Sequence, residues 1–298
     1  MSNDRGELDD PIPVDQRCDW ELIAERLTRL TEAADANLSA LAQRDTPGAV
    51  HDTRVAARRL SVALRNLRRQ VSNRERRRCV KALLQIAGTC GALRDADVRQ
   101  ELLRTWLTRA GFEDHPQGRM LIAAAAQERD AASREFQRRM NAPKWSELLW
   151  SLSQNAAALV VDHRGVPGEG ILRDLLTAQQ RRLRRRLRTG TRSRKHRKLH
   201  RLRLRIKDAR YFAEDFGPLI GAPIAVDLAR LRDLQQELGE LHDGWRLRKW
   251  LKTQYRCYLA TNALRELLKA RKKKSLKRIR QLSKAILRRG AQASSPKH

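Results

Sequence analysis

Apolar residues recur at three- and four-residue spacing from about residue 17 onward, and no stretch alternates apolar with β-branched positions in the manner of a strand. The pattern therefore predicts helices and nothing else. Breaks fall where turn formers cluster. Thr46-Pro47-Gly48 closes a first helix, the segment from Gly111 to Pro116 closes another, and Asn141-Ala142-Pro143 opens a new one. Gly217-Pro218 and Gly221-Ala222-Pro223 bracket a further turn. Residues 1–15 are polar and acidic and are expected to form a disordered tail. Residues 16–162 form a first helical unit, 163–170 a Gly/Pro-bearing linker, 171–290 a second helical unit and 291–298 a frayed end.

The two units share a pattern. His51-Asp-Thr-Arg54-Val-Ala-Ala-Arg58 is similar to His200-Arg-Leu-Arg203-Leu-Arg-Ile-Lys207, with 149 positions between the two histidines. Gly91-Ala-Leu-Arg94-Asp95 is similar to Gly239-Glu-Leu-His242-Asp243, with 148 positions between the aspartates. Two matches at nearly one offset imply an internal duplication, and two related helical bundles side by side.

A helical wheel separates the chemistry of each copy. With His51 at zero, Arg54, Arg58 and Arg65 fall within about 60° of arc, opposite Ala56, Leu60, Ala63, Leu64, Leu67 and Val71. In the second copy His200, Arg203, Lys207 and Arg210 form the cationic stripe. Leu202, Ile206, Ala209, Phe212, Ala213 and Phe216 form the apolar one. Arg205 falls towards the apolar side and is expected to snorkel outward. An ordinary solvated face mixes acids with bases. The first stripe holds no acid and the second only Glu214 near its end. Like charges at these spacings cost a few tenths of a kcal/mol per pair, so the arrangement points to an anion lying across the stripes. Arginine would grip phosphate by charge-assisted, often bidentate bonds, and lysine would act as a point charge. A bound polyanion would favour protonation of His51 and His200, so binding is expected to tighten as pH falls.

Charge strengthens this picture. The 298 residues include 64 Lys and Arg against 34 Asp and Glu, a net charge of +30. Repulsion of that size opposes compaction and is relieved by a polyanionic partner. Aromatics make up only 4% of the chain. The tryptophans Trp145, Trp150, Trp245 and Trp250 are expected in the core or between helices, not as a stacking platform for single strands. Further basic runs, Arg181 to Arg188, Arg192 to Lys198 and Arg271 to Lys274, serve either as accessory polyanion sites or as solubilising faces. The four cysteines lack CxxC spacing and are expected reduced and mostly buried. No apolar run is long enough to span a bilayer, and the acidic N-terminus does not suit a signal peptide, so a soluble cytoplasmic protein is expected.

At these motifs the chain resembles the CHAD domains, the conserved histidine α-helical domains. The resemblance rests on His51, Arg54, Arg58 and Arg59; on Gly91-Ala-Leu-Arg94-Asp95-Ala-Asp97-Val98; on His200, Arg203, Lys207 and Arg210; and on Leu238-Gly239-Glu240-Leu241-His242-Asp243. It covers about residues 17 to 290. It implies an all-α fold of two pseudo-symmetric helical bundles with a basic groove or channel between them. It also implies binding of inorganic polyphosphate and association with polyphosphate granules. The polyphosphate-binding set is then His51, Arg54, Arg58, Arg59, Arg65, Arg94, His200, Arg203, Lys207 and Arg210. Two positions depart from the repeat: His242 stands where the first copy has Arg94, and Asp208 where it has Arg59.

Catalysis has little support. Asp95, Asp97 and Asp243 are expected to orient a phosphate-binding arginine or to serve as local salt bridges, and these roles are compatible. As a paired-carboxylate hydrolase, Asp95 and Asp97 would not face each other on a helix. There is no HExxH, no Cys/His cluster, no ExExK strand motif and no GxxxxGK[ST] loop. Neither a metal nor a cofactor is expected. The competing partner is nucleic acid, bound weakly and without sequence preference through charge alone.

Overall fold

The computed structural model describes residues 19–43, 46–69, 73–157, 170–190, 193, 195–220, 227–255 and 258–292. The expected acidic tail and nearly all of the 163–170 linker lie outside these residues. So does most of the segment 291–298. The described residues are helical throughout, with no strand.

In chain order the helices are α1 (Asp19–Gln43), α2 (Pro47–Asn66), α3 (Asn73–Ala110), α4 (Pro116–Met140) and α5 (Pro143–Ala157). They continue as α6 (Ile171–Gly190), α7 (His196–Phe216), α8 (Leu228–Gln254) and α9 (Leu259–Gln292), with a 3-10 turn at Gly217–Ile220 after α7.

Helix ends follow local chemistry. The Thr46 hydroxyl accepts a hydrogen bond from the Ala49 N–H at 3.2 Å, and Pro47 sits in the first turn, so this motif starts α2 as much as it ends α1. His115 caps α4 through Nδ1, and Asp227 caps α8. Gly111, at φ 72°, ends α3, and the Phe112 N–H returns to the Leu107 carbonyl at 2.9 Å. One helix ends sooner than its periodicity suggests. The apolar face expected to reach Val71 stops with α2 at Asn66, and Val71 lies outside the described residues.

Packing runs in the same order in both halves. In the first, α1 packs on α2, α2 on α3 and α3 on α4; in the second, α6 packs on α7, α7 on α8 and α8 on α9. The halves join where α2 meets α7, a pair of equal rank, and where α3 meets both α8 and α9. Each half buries a cluster of its own, one among α6 to α9 and one among α1 to α4, and two further cores are shared. Leu172, Leu176, Phe212 and Phe216 of the second half complete the core built by α1, α2 and α3. Another core is shared outright, with Leu103, Leu107 and Leu121 on one side and Leu247, Trp250, Leu251 and Leu264 on the other. Polar contacts reinforce the junction: the Asp19 carboxylate accepts from the Leu172 N–H at 2.9 Å, and Trp250 donates to Glu128 at 2.7 Å. These contacts set α2 against α7 across the junction, a smaller interface than those within either half.

The apolar stripes of α2 and α7 are buried at every described position expected to be so. Cys79 and Cys90 are free and buried, and burial pushes their thiols up to about 12 and about 11. Cys18 and Cys257 lie outside the described residues. The tryptophan expectation holds for Trp145 and Trp250, which are buried. It fails for Trp150 and Trp245, which are 68% and 41% exposed. On α8, Trp245 stacks on the histidine side of the helix instead of entering the core.

Candidate functional site

The two cationic stripes do not face solvent independently. The α2–α7 contact sets them against each other, so residues from both halves meet along one seam. His51 is exposed at the start of α2, while Arg54, Arg58, Arg94, His200, Arg203 and Lys207 are half-buried. Burial in such company has electrostatic consequences. Burial first, then the charges of Arg58, Arg203, Arg54 and Arg210, push the Lys207 ammonium down to about 7. Burial, with Arg54 and Arg58 against it and Asp243 in its favour, lowers Arg203 as well. His51 is lowered by burial and then by Arg94, with Lys207 and Arg54 adding to the effect and Asp52 opposing it. His200 is lowered by burial and by Arg203, Arg58 and Arg246. In the free protein the surroundings of both histidines therefore disfavour their protonated forms.

The stripe residues divide into two groups. Arg58, Arg59, Arg65 and Arg210 are matched by carboxylates. Arg58 and Arg65 converge on Asp208 at 2.9 and 3.4 Å. Arg59 bonds Glu214 at 2.8 Å and also pairs with Asp215. Arg210 bonds Glu214 at 2.6 Å and Gln235 at 2.9 Å. The α2 stripe, which holds no acid of its own, thus meets three acids supplied by the other half. Asp208 is central to this. The repeat position that carries Arg59 in the first copy carries, in the second, the carboxylate that neutralises the first copy. Arg58, Arg59 and Arg65 hold the halves together, Arg210 braces α7 within its own half, and only the remaining donors of the four face an incoming anion.

Arg54, Arg94, Arg203 and Lys207 make no ion pair among the described residues. Buried nitrogens of the seam, Arg203 Nε, Arg58 Nε and His200 Nδ1, have no hydrogen-bond partner there. Such groups are costly to leave unsatisfied. Tyr211, almost fully buried, is ringed by cations: Arg210, Arg59 and Lys207 lie 4.6, 4.8 and 5.3 Å from its ring centre. Its π-face offsets part of their repulsion, by about 0.5–2 kcal/mol each.

Of the acids singled out by the repeat, Asp95 bonds Arg246 at 2.6 Å and Asp97 bonds Arg129 at 3.2 Å, both from neighbouring helices. Asp243 is half-buried near Arg203 and Arg246, whose charges oppose the upward push of burial. Asp95 and Asp97 therefore each pair with an arginine of a neighbouring helix.

Other parts of the site carry no repeat signal. A cavity of about 640 Å³ at the far end of α2 is lined by Arg65, Arg68, Arg76, Arg182, Arg186 and Arg205, with Asp208 as its acid. Arg205 is exposed, as expected, and faces this space. The dense α6 run marked these arginines as basic but not as convergent with α2. From His51 to Arg65 the α2 backbone rises about 21 Å, so cations line the junction over that length. His196 and His242, stacked with an interplanar angle of 12°, extend the histidine set beyond His51 and His200. Among the described residues no group of three or more His, Cys, Asp or Glu could hold a metal ion. No helix there is long and apolar enough to cross a membrane.

Comparison with known proteins agrees with this architecture. No curated protein matches the sequence significantly. Two solved structures share the fold. PptA from Streptomyces chartreusis aligns with a TM-score of 0.70 at 18% identity, over 93% of this chain and all of that one. The crystal structure of the CHAD domain from the plant Ricinus communis aligns with a TM-score of 0.66 at 23% identity, over 90% of this chain and 92% of that one. The sequence itself matches the CHAD domain over residues 25–252, and with the fold and the twin histidine–arginine helices in place, the chain belongs to the CHAD domain family.

Proposed function

We propose that the protein binds inorganic polyphosphate along the α2–α7 seam, as a binding module and not as an enzyme. One observation carries this: Arg54, Arg203 and Lys207, drawn from both halves, are packed within one another's fields and, like Arg94 beside His51, make no ion pair among the described residues. A linear anion with charge on every unit satisfies them together. A single phosphate reaches only one or two. The half-buried setting strengthens each contact, since water screens it less than at the surface. The arginine cavity beside Asp208 extends the path towards α6, and the whole forms a basic groove between two bundles derived from an internal duplication. The equal rank of the packed helices and the matched positions of His51 and His200 support that origin. Association with polyphosphate granules in the cell follows from the same reading.

Nucleic acid is the second reading, favoured by the exposed arginines of α6 and the net charge of +30. Competition separates the two. Labelled long-chain polyphosphate is bound at near-physiological salt and challenged with duplex DNA and with heparin at equal charge. A strong preference for polyphosphate supports the shaped seam. Equal displacement by all three polymers would leave a generic cationic surface and return nucleic acid to first place.

A further inference from the structure

A separate cavity of about 880 Å³ lies between α3, the start of α7, α8 and α9. It differs from the seam in chemistry. Leucines such as Leu102, Leu199 and Leu268 line part of it, and two indoles, Trp106 and Trp245, stand in its wall. Trp245 ends a column of rings. It stacks on His196 at 3.7 Å with an interplanar angle of 12°. His196 stacks on His242 at 5.0 Å, and His196 Nε2 and His242 Nδ1 share a hydrogen bond of 2.9 Å. His200 closes the column 4.5 Å from His242. An exposed tryptophan that would otherwise sample several rotamers is thereby held in one.

The charged wall is equally distinct. Arg109, Arg248, Lys272 and Lys274 line the cavity without an ion pair among the described residues. Arg271 is occupied, pairing with Glu240 and lying 3.6 Å from Glu237. The Arg109 guanidinium sits 5.1 Å from the Trp106 ring centre, so cation and indole face the same space. An inorganic polyphosphate makes no use of the leucines and indoles, and a purely apolar ligand makes none of the unpaired cations. A flat ring joined to a short run of phosphates uses both, and the volume lies within the roughly 300–1,000 Å³ of small-molecule sites.

We propose that this cavity binds a nucleoside polyphosphate, with the base extending the Trp245–His196 stack and the phosphates held by Arg248, Lys272 and Lys274. None of the residues assigned to polyphosphate lines this cavity, although its ring column ends on His200 of the seam, and the proposal does not depend on the polyphosphate reading.

Calorimetric titration of the full chain tests it, with ATP free of divalent metal compared with inorganic tripolyphosphate. ATP is expected to bind roughly tenfold more tightly, the scale of one base–aromatic stack. Trp245→Ala should remove that advantage and Trp245→Phe should retain it, with far-UV circular dichroism unchanged in both. Arg248→Gln with Lys272→Gln should weaken both ligands. Arg203→Gln with Lys207→Gln should leave the ATP advantage intact while weakening long polyphosphate, so the two sites stand or fall separately. Equal binding of ATP and tripolyphosphate would overturn the proposal, as would an ATP advantage that survives Trp245→Ala. A single-stranded oligonucleotide that outcompetes ATP at equal nucleotide concentration would overturn it in favour of a strand-binding surface.

Discussion

Asp208 accepts a hydrogen bond from Arg58 at 2.9 Å across the α2–α7 seam, and the two residues lie 150 positions apart in the chain. Asp208 is 8% exposed and is shared with Arg65. Its removal leaves two half-buried guanidinium groups without a counter-charge. Asp208→Ala is expected to lower stability by about 2–4 kcal/mol, in the range for breaking one side of a buried pair. The freed arginines gain an anion's share of attention, so long polyphosphate should raise the melting temperature of this variant more than that of the unaltered protein. Melting curves with and without polyphosphate give both numbers.

Arg59 and Arg54 lie five residues apart on one helix and should behave oppositely. Arg59 satisfies Glu214 and Asp215, the latter buried, so Arg59→Ala should destabilise by about 2–4 kcal/mol. Arg54 satisfies no carboxylate among the described residues and adds to the repulsion on Lys207. Arg54→Gln should leave stability unchanged or raise it, while polyphosphate affinity falls by about an order of magnitude and the salt dependence of binding becomes shallower. Chemical denaturation and binding titrations at two salt concentrations separate these effects.

Lys207 sets a stability window on the basic side. Its folded pKa, about 7, lies below the ordinary 10.5, so between these values the unfolded chain holds a proton that the folded chain has released. Stability of the free protein should therefore rise as pH increases from about 7 towards 9. Lys207→Met should flatten that rise. Bound polyphosphate should do the same by restoring the proton, and calorimetry in buffers of different ionisation enthalpy should register proton uptake on binding at pH 8.

His242 sets the acid side. Burial and then His200, Arg203, His196 and Arg246 push it down to about 3 from an ordinary 6.5. Between those values the unfolded chain binds a proton that the folded chain refuses, so stability falls as pH drops below 6.5. Urea midpoints at pH 7 and pH 5 should differ less in His242→Gln than in the unaltered protein.

Much of this was legible in the chain itself. The spacing of Leu202, Ile206, Ala209, Phe212 and Phe216 identifies a buried face that the fold confirms, and Thr46-Pro47 marks a helix boundary because its capping chemistry is local. His51, Arg54, Arg203 and Lys207 were likewise visible as stripes. Their sharing of one seam was not, because it depends on contacts between residues about 150 positions apart. The same distance hid the acids: Glu214 stood out only as the one acid of its own stripe and Asp215 carried no signal, although both serve Arg59 of α2. Between Asn66, where α2 ends, and Asn73, where α3 begins, the sequence holds neither glycine nor proline, so the strongest helix breakers do not mark the end of α2. Trp245 was misjudged because apolarity alone does not separate an indole entering a core from one stacked on a histidine.

The span between Arg58 and Asp208 also sets a schedule for synthesis. At about 5–20 residues per second, roughly 8–30 s separate the emergence of Arg58 from that of Asp208. Throughout that interval the nascent chain presents α2 with its arginines unanswered and with no Phe212 or Phe216 to close the core beneath them. A polyanion present at the ribosome meets these arginines before their own carboxylates exist. Where a polyanion occupies them first, the acids of α7 have to displace it as they arrive, because both compete for the same arginines.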